Sequence, residues 1–211
     1  SHGVPFSGIG CCSYTAYGTP LGNIPVDADA TAKITGHSCQ WIESIDVAHK
    51  SEHSLEVELP FLATLFPGLP IIPLICGHVD KQIAECIGKI LLQFFGPSTL
   101  WVISSDFTHF GYSFGYVPFK TDVPENLRKL DLGAVEKISA LDFDGFSKYV
   151  ESTGATICGA NPIRILLKTA NLAAAKGAEL KASLIEYTTS GESTGDWSHC
   201  VSYAGIAVYR R

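Results

Sequence analysis

The sequence predicts an α/β protein: a single layered domain with a central mixed sheet flanked by helices on both faces. Three observations carry that expectation. Segments with apolar residues at helical spacing alternate along the chain with short apolar runs of strand length. Those runs, such as LPIIPLICG and TLWVISSDF, are nearly continuous in apolar residues, as strands covered on both faces are. Finally, 211 residues, 46% of them hydrophobic and only 17% charged, suffice for one well-buried core and are short for two domains. The whole of 1–211 is therefore read as one domain.

Residues 1–25 are rich in Gly, Pro and Ser and read as loop with short extended pieces, and 26–35 (VDADATAKIT) have weak helical character. From Ser51 to about Phe66, Leu55, Leu59, Leu62 and Phe66 keep helical spacing, although Pro60 forces a break or kink. Residues 69–77 read as a strand ending at Gly77. The segment 80–96 predicts a helix that Asp80 can cap, striped by Ile83, Ile87, Ile90, Leu91 and Phe94 and ended by Gly96-Pro97. A buried strand over 99–107 runs into polar residues; helices come next around 125–140, 142–151 and 162–176; strands over 181–190 and 201–210 close the chain. In layered α/β folds ligands collect beyond the carboxyl ends of the strands. The residues just past each strand are therefore the first place to look for chemistry.

The net charge of −6 and pI near 5.6 leave no basic surplus to neutralise phosphates, which argues against nucleic acid or an anionic membrane as partner. No apolar run has the length of a transmembrane helix, and the polar, Gly/Pro-rich start does not read as a signal peptide. Seven cysteines, an odd number with no C-x-x-C, several of them in apolar runs (Cys76, Cys86), predict free thiols in a reducing, cytoplasmic setting. The chain opens on Ser1-His2 and contains no methionine, so residues are expected to precede it and any site needing them would be incomplete here.

Four places could carry chemistry. The strand over 99–107 runs out into SSDFTHFG, where Asp106 and His109 could act as ligand, general base or orienting pair. The bland alternative has Asp106 capping the loop and His109 packing on Phe110. In ATICGANPIRILL, Asn161 is a natural N-cap and Pro162 a natural N1, which puts Cys158 just ahead of a helix amino terminus. There the dipole and free N–H groups favour a thiolate and lower the thiol pKa. His2, beside Gly3 and Pro5, sits in a loop and by itself indicates little. Lastly, His49, Glu52 and His53 spell H-x-x-E-H, the pattern of the inverted zinc peptidases. Ser51 can cap a helix with Ser54 and Glu56 in its first turn; His49 would then precede the helix and the i, i+4 geometry would fail, so a zinc peptidase is the remote alternative.

Taken in order, SHGVP, EHSLEVELPFL, IIPLICG, SSDFTHFG, TICGANPI and the terminal VSYAGIAV resemble the Memo (mediator of cell motility) family over essentially the whole chain. The resemblance implies a fold similar to that of the class III extradiol dioxygenases, non-haem iron enzymes. It also implies a mononuclear metal pocket, with iron or copper as the cofactor. Carried over by motif, the metal ligands are His2 and Cys158, with Asp106 and His109 as catalytic neighbours and His53 as a pocket-wall residue. A further histidine in a P-H-A-G motif would lie ahead of Ser1. Where the dioxygenases use a carboxylate ligand, Cys158 offers a softer, oxidisable thiolate, which favours redox chemistry over catechol cleavage. The family reading thus implies a metal-dependent redox protein acting on a small molecule. Its alternative is a non-enzymatic cytoplasmic signalling adaptor that holds a peptide in the same pocket.

Overall fold

The computed structural model describes residues 1–50 and 52–210. The chain is α/β, and it divides into two compact units, Ser1–Ser104 and Ser105–Arg211. Among the described residues the strands fall into three small sheets rather than one central sheet.

The first unit runs β1 (Ile9–Cys11), β2 (Ala16–Thr19), β3 (Gly22–Pro25), α1 (Ala28–Thr35), β4 (Ile42–Ser44), α2 (Asp46–Lys50), α3 (His53–Glu56), α4 (Leu59–Leu65), β5 (Ile75–Cys76) and α5 (Lys81–Leu91). Fully buried β1 is the middle strand of a mixed sheet: Ile9 lies opposite Ile42 of parallel β4 and Cys76 of antiparallel β5. β2 and β3 form a separate hairpin. The strand expected over 69–77 contracts to two residues, because Pro70 and Pro73 have no N–H to give a ladder. α5 starts where the sequence places it, with the Asp80 carboxylate accepting from Ile83 N–H at 2.8 Å, and Ile83, Ile87 and Leu91 are buried. The helix expected from Ser51 to Phe66 is split at Val57 and Glu58 into α3 and α4, with Pro60 in the first turn of α4. Its expected cap, Ser51, lies outside the described residues.

One cysteine expectation is corrected here. Cys39 and Cys86 form a disulfide across 47 residues of sequence, with Cα atoms 6.8 Å apart, while Cys11, Cys12, Cys76, Cys158 and Cys200 are free. No local spacing marks such a pair; it arises because the loop before β4 and the middle of α5 meet in the fold.

The second unit runs β6 (His109–Gly111), α6 (Val123–Ser139), α7 (Phe143–Thr153), α8 (Ala160–Ala174), β7 (Leu180–Thr189), α9 (Ser190–Thr194) and β8 (His199–Arg210). β8 is the middle strand of an antiparallel sheet, paired with β7 along nearly its whole length and with β6 on its other edge. α6 packs on β7 and β8 and against α7, which in turn meets α8. Phe110, Leu127 and Cys200 form a buried cluster flanked by Val117, Phe119, Val123 and Trp197, with the rings of Phe110 and Phe119 stacked at 5.1 Å. Gly111 is required where β6 ends: its φ is +137°, and a Cβ would fall 2.6 Å from the Ser198 carbonyl.

Two expectations change in this part of the chain. The strand over 99–107 makes no ladder among the described residues until β6 begins at His109. Leu100 and Val102 stay exposed, so the run is not covered on both faces; Phe107 N–H alone reaches Ser202 of β8, at 2.8 Å. α8 begins two residues before Pro162, with Gly159 as N-cap. Pro162 is tolerated in that first turn because an N–H there has no intrahelical partner to lose. Asn161 does not cap; its Oδ1 accepts from Arg164 at 2.9 Å. No helix among the described residues is long and apolar enough to cross a membrane.

Candidate functional site

Two groups of ligand-type side chains stand out, one in each unit: His2, Glu52 and His53, and Asp106, His109 and Cys158, each offering donor atoms within 4.8 Å of one another. The structure thus brings together three of the residues singled out by sequence, Asp106, His109 and Cys158. It sets the other two, His2 and His53, around Glu52.

In the first unit the short helix α3 is capped by Glu52, whose carboxylate accepts from Ser54 N–H. The same carboxylate is almost wholly buried and binds His2 twice: Oε2 accepts from His2 N–H at 2.8 Å, and Oε1 lies 2.6 Å from His2 Nδ1. His53 Nδ1 sits 3.8 Å from Oε1, and its ring lies 4.5 Å from that of His2. Burial pushes the Glu52 carboxyl pKa up, but the hydrogen bonds from the His2 ring, His2 N–H and Ser54 N–H together outweigh it and bring the value down to about 2.

His49 is elsewhere. It lies in α2, is buried, and spends both ring nitrogens, Nδ1 at 2.6 Å from Tyr17 Oη and Nε2 at 2.9 Å from Gly10 O. Helix α2 ends before Glu52, so His49 and His53 do not sit a turn apart on one helix and do not share a ligand group.

In the second unit, two loop segments are laced together. Asp106 N–H donates to Cys158 Sγ at 3.1 Å, and Gly159 N–H donates to Ser105 Oγ at 3.0 Å. Thr156 Oγ1 accepts from His109 N–H at 2.9 Å and donates to His109 O at 2.8 Å. Beneath this lacing the fully buried carboxylate of Asp131 in α6 accepts from Thr108 Oγ1 at 2.6 Å, from Thr108 N–H at 3.3 Å and from Tyr187 Oη at 2.8 Å. Asp106 Oδ2 is 3.6 Å from His109 Nε2, beyond hydrogen-bond length. The His109 ring meets Phe114 edge-on at 5.1 Å, whereas Phe110 belongs to the core cluster.

Cys158 lies directly ahead of the α8 N-cap, but its thiol is not activated as the sequence suggested. Desolvation by the surrounding protein raises its pKa above the usual value, against the opposing hydrogen bond from Asp106 N–H. The N–H of Gly159, the helix-start donor next to it in sequence, is directed to Ser105 instead. Thiolate is the reactive form, so the sign is clear. Iodoacetamide should label the native, metal-free protein at Cys158, the exposed member of the five free thiols, at a rate that climbs about tenfold per pH unit and does not level off below 9.0. Denatured, unreduced protein should take up five equivalents. A rate that levels off near neutral pH would contradict the raised thiol, and seven equivalents would contradict the disulfide.

Sequence reasoning assigns Thr156 and Asp131 no role, and gives Glu52 only its place in the H-x-x-E-H pattern. Thr156 had a readable signal, two positions before Cys158 in ATIC, but nothing in the sequence tied it to His109, 47 residues away. Asp131 looks like any helical carboxylate in LRKLDLG, and only its complete burial reveals it.

Residues 1–207 match the family described as Memo-like protein. The chain is similar to MEMO1 family proteins of Pyrococcus furiosus (32% identity, covering 90% of this chain and 67% of that protein), Thermococcus kodakarensis (32%, 92% and 68%) and Methanosarcina mazei (31%, 90% and 66%). A match that runs through both units and spans both ligand groups fixes the assignment: the chain belongs to the Memo family.

Proposed function

We propose that this Memo-family chain is a cytoplasmic, metal-dependent redox protein acting on a small molecule, with His2 and Cys158 as ligands to iron or copper and with Asp106 and His109 handling protons or orienting substrate. The observation that carries the reading is the group Asp106, His109 and Cys158, whose donor atoms lie within 4.8 Å of one another. That spacing puts Asp106 and His109 within reach of an ion, or of a molecule on it, held by Cys158 at about 2.3 Å. The thiolate of Cys158 and the imidazole of His2 suit a redox-active transition ion better than magnesium or calcium. A bound iron or copper ion would supply one-electron exchange. The chain's own part is to surrender the Cys158 proton on binding and to keep the 105–109 and 156–159 segments in register through Thr156 and Ser105. Asp106 Oδ2, 3.6 Å from His109 Nε2, sets the two side chains close enough to share the handling of a proton or the orienting of substrate. The family resemblance also supports a single, dioxygenase-like domain spanning both units; one cooperative calorimetric transition is the result expected of it.

Metal analysis and oxygen-uptake measurements on the protein and on Cys158→Ser test the proposal. Near-stoichiometric iron or copper and oxygen turnover are expected in the first and a loss of both in the second. Equal metal and equal turnover would overturn it. The second reading is an adaptor that holds a peptide in the same pocket, emptied of metal. Metal-free protein with measurable peptide affinity would favour that reading.

A further inference from the structure

We propose that Glu52 is a positioning residue that fixes the His2 imidazole in the tautomer with Nδ1 protonated, presenting Nε2 as the lone-pair donor. The inference rests on the reading of His2 as a metal ligand and deepens it. Glu52 Oε2 accepts the His2 main-chain N–H, and Oε1 takes the Ser54 N–H and faces His2 Nδ1. A carboxylate already accepting two backbone N–H groups is ionised and can only accept, so the short Nδ1 contact requires the hydrogen to be on Nδ1. Nε2 then carries the lone pair, the arrangement that a carboxylate behind a metal-bound histidine enforces. The two contacts to one residue hold both the main chain and the ring of His2, so the ring direction is set as well as the tautomer.

Glu52 suits this role better than that of a third ligand. Its side chain is 1% exposed and its oxygens are filled by three donors, whereas the His2 side chain is 44% exposed. Releasing the carboxylate to an ion would strand the His2 and Ser54 N–H groups. His53, 65% exposed and 3.8 Å from Oε1, backs the His2 ring without displacing it from the carboxylate.

The test uses the full chain, metal-free, with nitrogen-15-labelled histidine. Long-range proton–nitrogen correlation spectra distinguish the two neutral tautomers of each ring from the doubly protonated form. His2 is identified by the signal missing in His2→Ala. The Nδ1–H form is expected in the unsubstituted protein and in Glu52→Gln, which keeps an acceptor, and the Nε2–H form in Glu52→Ala. Titration with ferrous iron alone should give a Kd weakened about 10–100-fold in Glu52→Ala and less in Glu52→Gln. An Nε2–H signal for His2 in the unsubstituted protein overturns the proposal at once, even where Glu52→Ala fails to fold. An unchanged tautomer or an unchanged Kd in a folded Glu52→Ala overturns it too. The Nδ1–H tautomer in a protein that binds no iron or copper would instead remove the redox reading while leaving the Glu52–His2 assignment standing.

Discussion

Replacing Asp131 by Ala should cost about 3–5 kcal/mol of stability. The carboxylate is completely buried and accepts from Thr108 Oγ1, Thr108 N–H and Tyr187 Oη. Removing it strands the Thr108 hydroxyl and N–H and leaves Tyr187 Oη only its longer bond to Ser202 Oγ, at 3.4 Å, at the junction of α6, β7 and the segment leading into β6. Each stranded donor costs roughly 1–3 kcal/mol, and the cavity adds to that. Tyr187 also loses the ionised neighbour which, after burial, contributes most to keeping its phenol protonated. Urea unfolding should show a lower midpoint with an unchanged slope, and Asp131→Asn should lose about half as much, since its amide still accepts on one side. A midpoint within error of the parent protein would rule out the network as a source of stability. The functional consequence is local: Thr108 lies between Asp106 and His109, so slack at Asp131 reaches the proposed site before the protein unfolds.

The second large effect is acid sensitivity from Glu52. Its carboxyl titrates near 2 in the folded protein against an ordinary 4.5, so the unfolded chain takes up its proton first as pH falls. The corresponding stability is complete above 4.5 and is lost as pH drops through about 2. A shift of that size corresponds to on the order of 3 kcal/mol. In metal-free protein, the slope of stability against pH between those values should be visibly flatter in Glu52→Gln. Matching slopes in the two proteins would show that the His2 and Ser54 hydrogen bonds contribute nothing net.

Much of the fold was legible where local rules act. Asp80 capping α5, its Ile83–Ile87–Leu91 stripe and the long closing strands come from side-chain period and capping chemistry within a few residues. The failures share a cause. The strand expectations over 69–77 and 99–107 read apolar runs as buried ladders, but prolines removed donors from the first and exposed Leu100 and Val102 mark the second as uncovered. Asn161-Pro162 resembled a helix start, yet a first turn can begin earlier wherever a residue such as Gly159 finds an acceptor, here Ser105.

The sequence by itself determined the α/β class, the absence of a basic surplus, the family and the identities of Asp106, His109 and Cys158 as residues worth pursuing. Only the tertiary structure decided that Glu52 holds His2, that Thr156 clasps His109, that Asp131 anchors Thr108, that Cys39 pairs with Cys86 and that the Cys158 thiol is raised rather than lowered. The physical reason is range. Periodicity and caps operate over a turn or two of chain, whereas a hydrogen-bond partner 50 residues distant, or the desolvation of a sulfur, exists only once remote segments have packed together.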